Sequence, residues 1–229
     1  LLNHDFKKYI SSLIAVKTFW ANFYFWRDGG YFGGNDQLKP LLHTWSLSVE
    51  EQFYLFYPTF ILFALYIKKK INLSLIFFIT LLMIISFIFW GYLNYIGGQN
   101  PAFFLLPTRI WQFCLGGFFA LLHFNKNFEL KKNHNILIFL SFLIVLIGLM
   151  FQIGKQIQTV LVSLGTGVLI FSTLSKKNFI ISILKTFIFK KIGKISYSLY
   201  LYHWPVAVIL IYYYVDTPPL IISILGIFL

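Results

Sequence analysis

The stretch PLLHTWSLSVEEQFYLFYP, from Pro40 to Pro58, sets one histidine and two carboxylates at the mouth of an almost uncharged run. Glu50 and Glu51 open an apolar segment that continues without another charge to Ile67. At helical spacing Glu50 shares a face with His43, Ser46, Leu47, Phe53, Tyr54 and Tyr57. His43 and Glu50 are two turns apart, about 10 Å along the axis. They could serve one site but could not touch along a continuous helix. A carboxylate withdrawn from water can act as general base or acid near neutral pH. The plainer alternative has Thr44 or Ser46 capping the helix while two first-turn carboxylates meet its dipole.

Two further motifs put polar groups where apolar ones are expected. In PTRIWQFCLGG, from Pro107 to Gly117, Arg109 enters an apolar run. It either snorkels to the interface or acts as a fixed cation that binds an anion or orients a carboxylate such as Glu50. Gly116 and Gly117 suggest close helix packing. In GKISYSLYLYHWPV, from Gly193 to Val206, Ser196, Tyr197, Ser198, Tyr200, Tyr202 and His203 crowd into one apolar segment. A helix facing only lipid would not keep them, so one face lines a cavity. Tyr200, His203 and Trp204 share a face at i, i+3, i+4. The alternative is an aromatic interface belt, which suits Tyr212, Tyr213 and Tyr214 better. His123 reads as an interface residue. No phosphate-binding loop, dinucleotide fingerprint, zinc-protease motif or nucleophile elbow is present.

The elements that must position these groups are helices in a membrane. Of 229 residues, 59% are hydrophobic, 21% aromatic and only 11% charged. A soluble domain carries about 25% charged residues, so an ordinary water-soluble enzyme is excluded. A single cysteine, Cys114, rules out a disulfide framework or a cysteine metal cluster, and no metal is expected. Windows of about 20 apolar residues fall near 9–26, 45–67, 71–97, 107–124, 136–152, 159–174, 195–215 and from 218 onward. The expected fold is therefore all-α and polytopic, with about eight transmembrane helices in this chain. Segment 179–189, FIISILKTFIF, reads as an interfacial helix.

The formal net charge of +12 is a topology signal. Fourteen of the 19 Lys and Arg residues, among them Lys7, Lys8, Lys68, Lys69, Lys70 and Lys194, fall on one side of this arrangement. Arg27, Lys39, Arg109 and Lys155 fall on the other. The side enriched in positive charge is cytoplasmic. This accounts for the basicity without a nucleic-acid partner. It also places the 27–44 loop, the 97–108 loop and the turn Asp216-Thr217-Pro218-Pro219 on the outer side.

Together the three motifs, in this order and preceded by NFYFWRDGGYF at 22–32, resemble the acyltransferase 3 family of bacterial membrane O-acyltransferases, typified by O-antigen acetylases. The first motif is the most specific, and the resemblance covers essentially the whole chain. It implies a bacterial inner-membrane protein of about ten spans, of which these would be the third to tenth. Residues 1–229 would then be a membrane-embedded domain truncated at both ends, with a family histidine and arginine region upstream of Leu1. The resemblance implies acyl-CoA, most simply acetyl-CoA, as cytoplasmic donor. The implied acceptor is a hydroxyl of an extracytoplasmic glycan, such as lipopolysaccharide O-antigen or another surface polysaccharide.

By the same resemblance Glu50 and His43 take the catalytic positions and Arg109 matches the arginine of the second motif. Trp45, Ser48, Glu51 and Tyr54 from the first motif, with Tyr197, Tyr200, His203 and Trp204 from the third, are assigned to substrate binding. Gln112 stands where the family's second motif usually has glutamate, so a neutral hydrogen bond replaces an acidic role there. Members with this wording often continue into an SGNH-hydrolase-like domain. A transporter or flippase for a glycan or lipid-linked substrate is the competing reading, since a buried carboxylate, an arginine and a polar helix also suit a substrate pathway. Against it stands the lack of paired Gly/Pro-broken segments in matching halves. A scaffold would have no reason to carry the cost of these polar groups.

Overall fold

The computed structural model describes residues 2–29, 38–124, 134–151, 154–173 and 179–214. Among these residues every regular element is helical. They are α1 (Leu2–Lys17), α2 (Ala21–Arg27), α3 (Trp45–Ile71), α4 (Leu75–Tyr95), α5 (Gln99–Phe104), α6 (Ile110–Phe124), α7 (His134–Met150), α8 (Lys155–Thr173), α9 (Phe179–Leu184) and α10 (Phe187–Tyr214). Short 3-10 turns at Leu42–Thr44 and Leu106–Thr108 lead into α3 and α6. The span expected from 218, the turn at Asp216–Pro219 and the loop lysines at 126, 131, 132, 176 and 177 lie outside the described residues.

The chain forms two compact units. The first comprises 1–59, 98–108 and 187–229; the second comprises 60–97 and 109–186. In the first unit, Ala21, Phe25, Leu42 and Phe104 are buried together, with Trp45, Phe103 and Trp204 packed around them. Asn22 is fully buried beside this core. Its amide nitrogen donates to the Phe104 carbonyl at 3.2 Å, and its oxygen accepts from Gln52 Nε2 at 2.9 Å. Gln52 Nε2 also donates to the Phe19 carbonyl at 2.7 Å. These bonds tie α2, α3 and α5 together and satisfy polar groups that would be costly to bury unpaired.

The expected span at 9–26 is not one helix. Phe19 adopts φ +57°. Its N–H donates to the Val16 carbonyl at 3.2 Å, and the Trp20 N–H donates to Ala15 at 2.8 Å. This pair of bonds is the Schellman ending of a helix, and the chain turns back into α2. As a result Lys8 Nζ lies 3.8 Å from Asp28 Oδ1, and Lys39 Nζ lies 2.7 Å from Asp28 Oδ2. Two lysines assigned to opposite sides of a bilayer thus meet one carboxylate, and the charge split loses Lys8 as a witness. A glycine normally marks this ending; here a phenylalanine bears the left-handed conformation, at about 1–2 kcal/mol.

In the second unit α4 and α6 are joined where Ser86 Oγ accepts the Trp111 N–H at 3.0 Å. α7 packs on α8 through Gly148 and Gly165. A Cβ on Gly148 would lie 2.7 Å from Val162 Cγ2, and one on Gly165 would lie 3.0 Å from Val145 Cγ2. A Cβ on Gly167 of α8 would likewise lie 2.7 Å from Phe119 Cε2 of α6, whereas one on Gly116 would meet nothing within 4 Å. The interfacial segment expected at 179–189 divides: Thr186 donates its hydroxyl to the Ile183 carbonyl at 2.7 Å, and α10 restarts at Phe187.

Eight spanning helices are not what the described residues present. α4 and α10 are long and apolar enough to cross a membrane, while α6 and α7 are apolar but shorter. α1 is ended early by its Schellman turn. α3 is 27 residues long, about 40 Å, but carries Glu50 and Glu51 near one end, Pro58 inside, and Lys68–Lys70 at the other.

Candidate active site

Within the first unit, the start of α3 and the middle of α10 meet through one phenol. Tyr200 donates its hydroxyl proton to the His43 carbonyl at 2.6 Å and stands 2.5 Å from Ser46 Oγ. A phenol has one proton and a carbonyl only accepts, so Ser46 is the donor in the second bond. Neither Ser46 nor Thr44 is thus used as the expected helix cap: the Thr44 hydroxyl donates to the Leu41 carbonyl at 2.7 Å. With α3 beginning at Trp45, Glu50 and Glu51 lie beyond its first turn, where the helix dipole offers a carboxylate little.

His43 occupies the 3-10 turn ahead of α3 and is only 7% exposed. Neither ring nitrogen makes a hydrogen bond. The ring lies edge-on to Tyr200, with centroids 5.3 Å apart, and to His203, 5.5 Å apart. Burial, seconded by the positive field of His203, pulls His43 down from the ordinary imidazole value to about 4. The Leu201 carbonyl pulls the other way. That carbonyl is one that Pro205, lacking an N–H, cannot satisfy within α10. At neutral pH His43 is an uncharged imidazole with a free lone pair.

His203 Nδ1 sits 2.7 Å from the Tyr200 carbonyl and 3.2 Å from that of Leu199. Because both partners only accept, Nδ1 carries the proton, and in the neutral ring Nε2 holds the lone pair. Glu50 is half-buried on α3, within electrostatic reach of Tyr200. Among the described residues no hydrogen bond or ion pair engages its carboxylate. The structure thus gathers His43, Ser46, Tyr200 and His203, with Glu50 within electrostatic reach of Tyr200.

The other expected residues are placed differently. Ser48 is buried, and its oxygen accepts the Ala21 N–H at 3.2 Å, which ties α3 to α2. Trp45 packs on Phe103 and Phe104, with centroids 4.5 and 5.3 Å away. Trp204 donates its indole N–H to the Lys39 carbonyl at 2.9 Å. Tyr54 and Tyr197 are about 60% exposed, and Glu51 is exposed. Arg109 belongs to the second unit, where its guanidinium donates to Gln112 Oε1 at 3.2 Å and Gln112 Nε2 donates to Ser163 Oγ at 3.2 Å. The glutamine thus makes a neutral hydrogen bond with the arginine.

Two groups escaped the sequence reading. The amide pair Asn22–Gln52 was visible only as two polar residues in apolar surroundings. The Asp28 ion-pair cluster was hidden by treating 9–26 as one span.

The Tyr200 bridge has a measurable consequence. Tyr200→Phe leaves the Ser46 hydroxyl and the His43 carbonyl without this partner, at a cost of about 1–3 kcal/mol. For a chain of this size, a loss of Tm of several degrees is expected, at about 2–4 °C per kcal/mol. Thermal unfolding of the detergent-solubilised protein reads it. An unchanged Tm would mean that the bridge contributes nothing.

A family profile described as an acyltransferase domain, Acyl_transf_3, matches residues 9–229. The chain belongs to the acyltransferase 3 family. It is 34% identical to the O-acetyltransferase OatA of Staphylococcus aureus (strain NCTC 8325 / PS 47) over 90% of this chain and 35% of that protein. It is 31% identical to SACOL0978 of Staphylococcus aureus (strain COL), whose name carries O-acetyltransferase as a provisional assignment, over 94% of this chain and 36% of that protein. The chain spans about a third of the length of the curated relatives it matches. No solved structure matches it. Within this acyltransferase 3 domain the stretches 40–58 and 193–206 build the His43–Tyr200–His203 cluster.

Proposed function

We propose that this acyltransferase 3 domain transfers an acetyl group from cytoplasmic acyl-CoA to a hydroxyl of a cell-surface or exported glycan, within a multi-pass protein of the bacterial inner membrane. The observation that carries the reading is His43: a buried, uncharged imidazole whose ring nitrogens make no well-formed hydrogen bond, influenced by the Leu201 carbonyl and set beside Tyr200 and His203, with Glu50 within electrostatic reach of Tyr200. An unsatisfied buried imidazole is costly, and packing alone gives no return for it. A substrate hydroxyl that donates to this ring would satisfy it.

His43 or Glu50 takes the proton of the acceptor hydroxyl as its oxygen forms a bond to the acyl carbon. The carbon–sulfur bond of the thioester then breaks, and the departing thiolate receives the proton. Tyr200, whose single proton is given to the His43 carbonyl, holds the turn that carries the imidazole in place. In the second unit Arg109, steadied by Gln112, offers a fixed cation to an anionic group of substrate. The Lys-rich loops attract the phosphates of CoA. α3, α6, α7 and α8 cross the bilayer with α4 and α10, their polar ends at its surfaces.

The test is proton NMR of glycan purified from a bacterium whose surface polysaccharide lacks O-acyl groups, after expression of the complete reading frame. Acetyl signals that appear with the protein and vanish in mild alkali are expected. Their absence, with the protein verified in the membrane, would overturn the transferase reading in favour of transport.

A further inference from the structure

The first unit contains a cavity of about 450 Å³ that none of the residues assigned to acetyl transfer lines. Its wall includes Lys8, Tyr9, Tyr24, Asp28, Lys39 and Tyr212. In a chain with only 11% charged residues, one cavity holding a carboxylate, two ammonium groups and three phenols is a concentration of polar chemistry. Asp28 is on its wall, 2.7 Å from Lys39 Nζ and 3.8 Å from Lys8 Nζ. Lys39 also donates to the Asp28 carbonyl at 2.5 Å, and Tyr24 donates its hydroxyl to the Lys8 carbonyl at 3.0 Å. Both lysines lean on one carboxylate, so the cavity offers donors and acceptors side by side.

We propose that this cavity binds a sugar unit of the acceptor glycan, an inference that rests on the acetyl-transfer reading above. The chemistry selects a hydroxyl-rich, largely uncharged ligand. Each sugar hydroxyl both donates and accepts, which matches a carboxylate flanked by ammonium groups and phenols. Aromatic rings at Tyr9, Tyr24 and Tyr212 supply apolar faces for a sugar's C–H surfaces. A polyphosphate is disfavoured, because Asp28 sets a negative charge among the cations that would have to bind it. A volume of about 450 Å³ suits one or two sugar rings, within the usual range of small-ligand sites.

Position supports the assignment. Pro40 and Leu41 form part of the wall, and the chain passes from there directly into the turn that carries His43. The indole of Trp204, the neighbour of His203, is anchored on the carbonyl of Lys39. A sugar held at Asp28 would therefore bear on the same segments that hold the imidazole, and the cavity would choose which sugar is presented.

The experiment uses the full-length protein in detergent, a glycan acceptor on which the wild type transfers acetyl, and acetyl-CoA. Initial rates are measured for wild type, Asp28→Asn and Tyr24→Phe, with the acceptor and the donor varied in turn. Asp28→Asn should raise the acceptor KM about tenfold and Tyr24→Phe severalfold, with the donor KM unmoved. Lys8→Met, at a half-exposed wall position where folding is not at stake, should raise the acceptor KM in the same direction. Unchanged acceptor KM in all three variants would overturn the cavity assignment and leave the transferase reading intact. A rise confined to the donor KM would overturn it by placing the acyl donor there. Failure of the wild type to acetylate any glycan would remove the transferase reading, and this inference with it.

Discussion

Replacing His43 with glutamine should lower acetyl transfer by about 10²- to 10⁴-fold, the range that a positioned general base supplies. Glutamine keeps polar atoms near the same place but has no basic lone pair at neutral pH. The backbone carbonyl that Tyr200 holds is untouched by the exchange. A fall in kcat with an ordinary acceptor KM marks the ring as the proton acceptor. A variant with wild-type kcat would remove His43 from the chemistry. The pH profile carries the same information independently. Because the folded-state value is held down near 4, by burial first and His203 second, His43 stays a base across the neutral range. Its own acid limb should appear only as pH falls through about 4.

Substituting His203 by glutamine withdraws the second of those causes, so the limb should move to higher pH. The other ionisable group facing the ring, Tyr200, remains in place in that variant. A limb that does not move would mean that His203 exerts no field on His43. Replacing Tyr200 is a poorer probe of the same question, since it also removes the bridge between α3 and α10.

The sequence carried much of this site and less of its frame. His43, Glu50, Tyr200 and His203 were legible because each is polar in a run that should be apolar, and because helical spacing put Tyr200 and His203 on one face. What no spacing rule could supply was the meeting of the turn before α3 with α10, 157 residues apart in the bond from Tyr200 to His43. The Schellman turn at Phe19 was hidden because its left-handed residue is aromatic, without the glycine that usually announces it. That single hidden turn misplaced Lys8 and concealed the Asp28 cluster. Ser48 and Trp45 were legible as members of a chemical motif, but sequence could not tell that their polar atom and ring are engaged with Ala21 and with Phe103 and Phe104. Among the glycines, Gly116 drew attention but has open space around it, while α7 and α8 approach each other at Gly148 and Gly165.

Glu50→Gln should lower kcat by at least about 10²-fold while leaving the fold in place. The exchange is isosteric, and among the described residues the carboxylate gives up no hydrogen bond or ion pair. Glu50 lies one helical turn beyond Ser46, whose hydroxyl is committed to Tyr200, and its carboxylate is within electrostatic reach of that phenol. A half-buried charge held without a partner is a cost to stability; neutralising it should leave Tm unchanged or raise it. Glu50→Asp separates two roles. If the carboxylate orients the acceptor or the imidazole, drawing it back by one methylene should raise the acceptor KM and preserve part of kcat. If it receives the hydroxyl proton itself, reach is decisive and kcat should fall nearly as far as in the glutamine variant. Alkali-labile acetyl on purified glycan, with initial rates for both variants, decides between these outcomes. Full activity in Glu50→Gln would remove this carboxylate from the mechanism and leave His43 as the sole base.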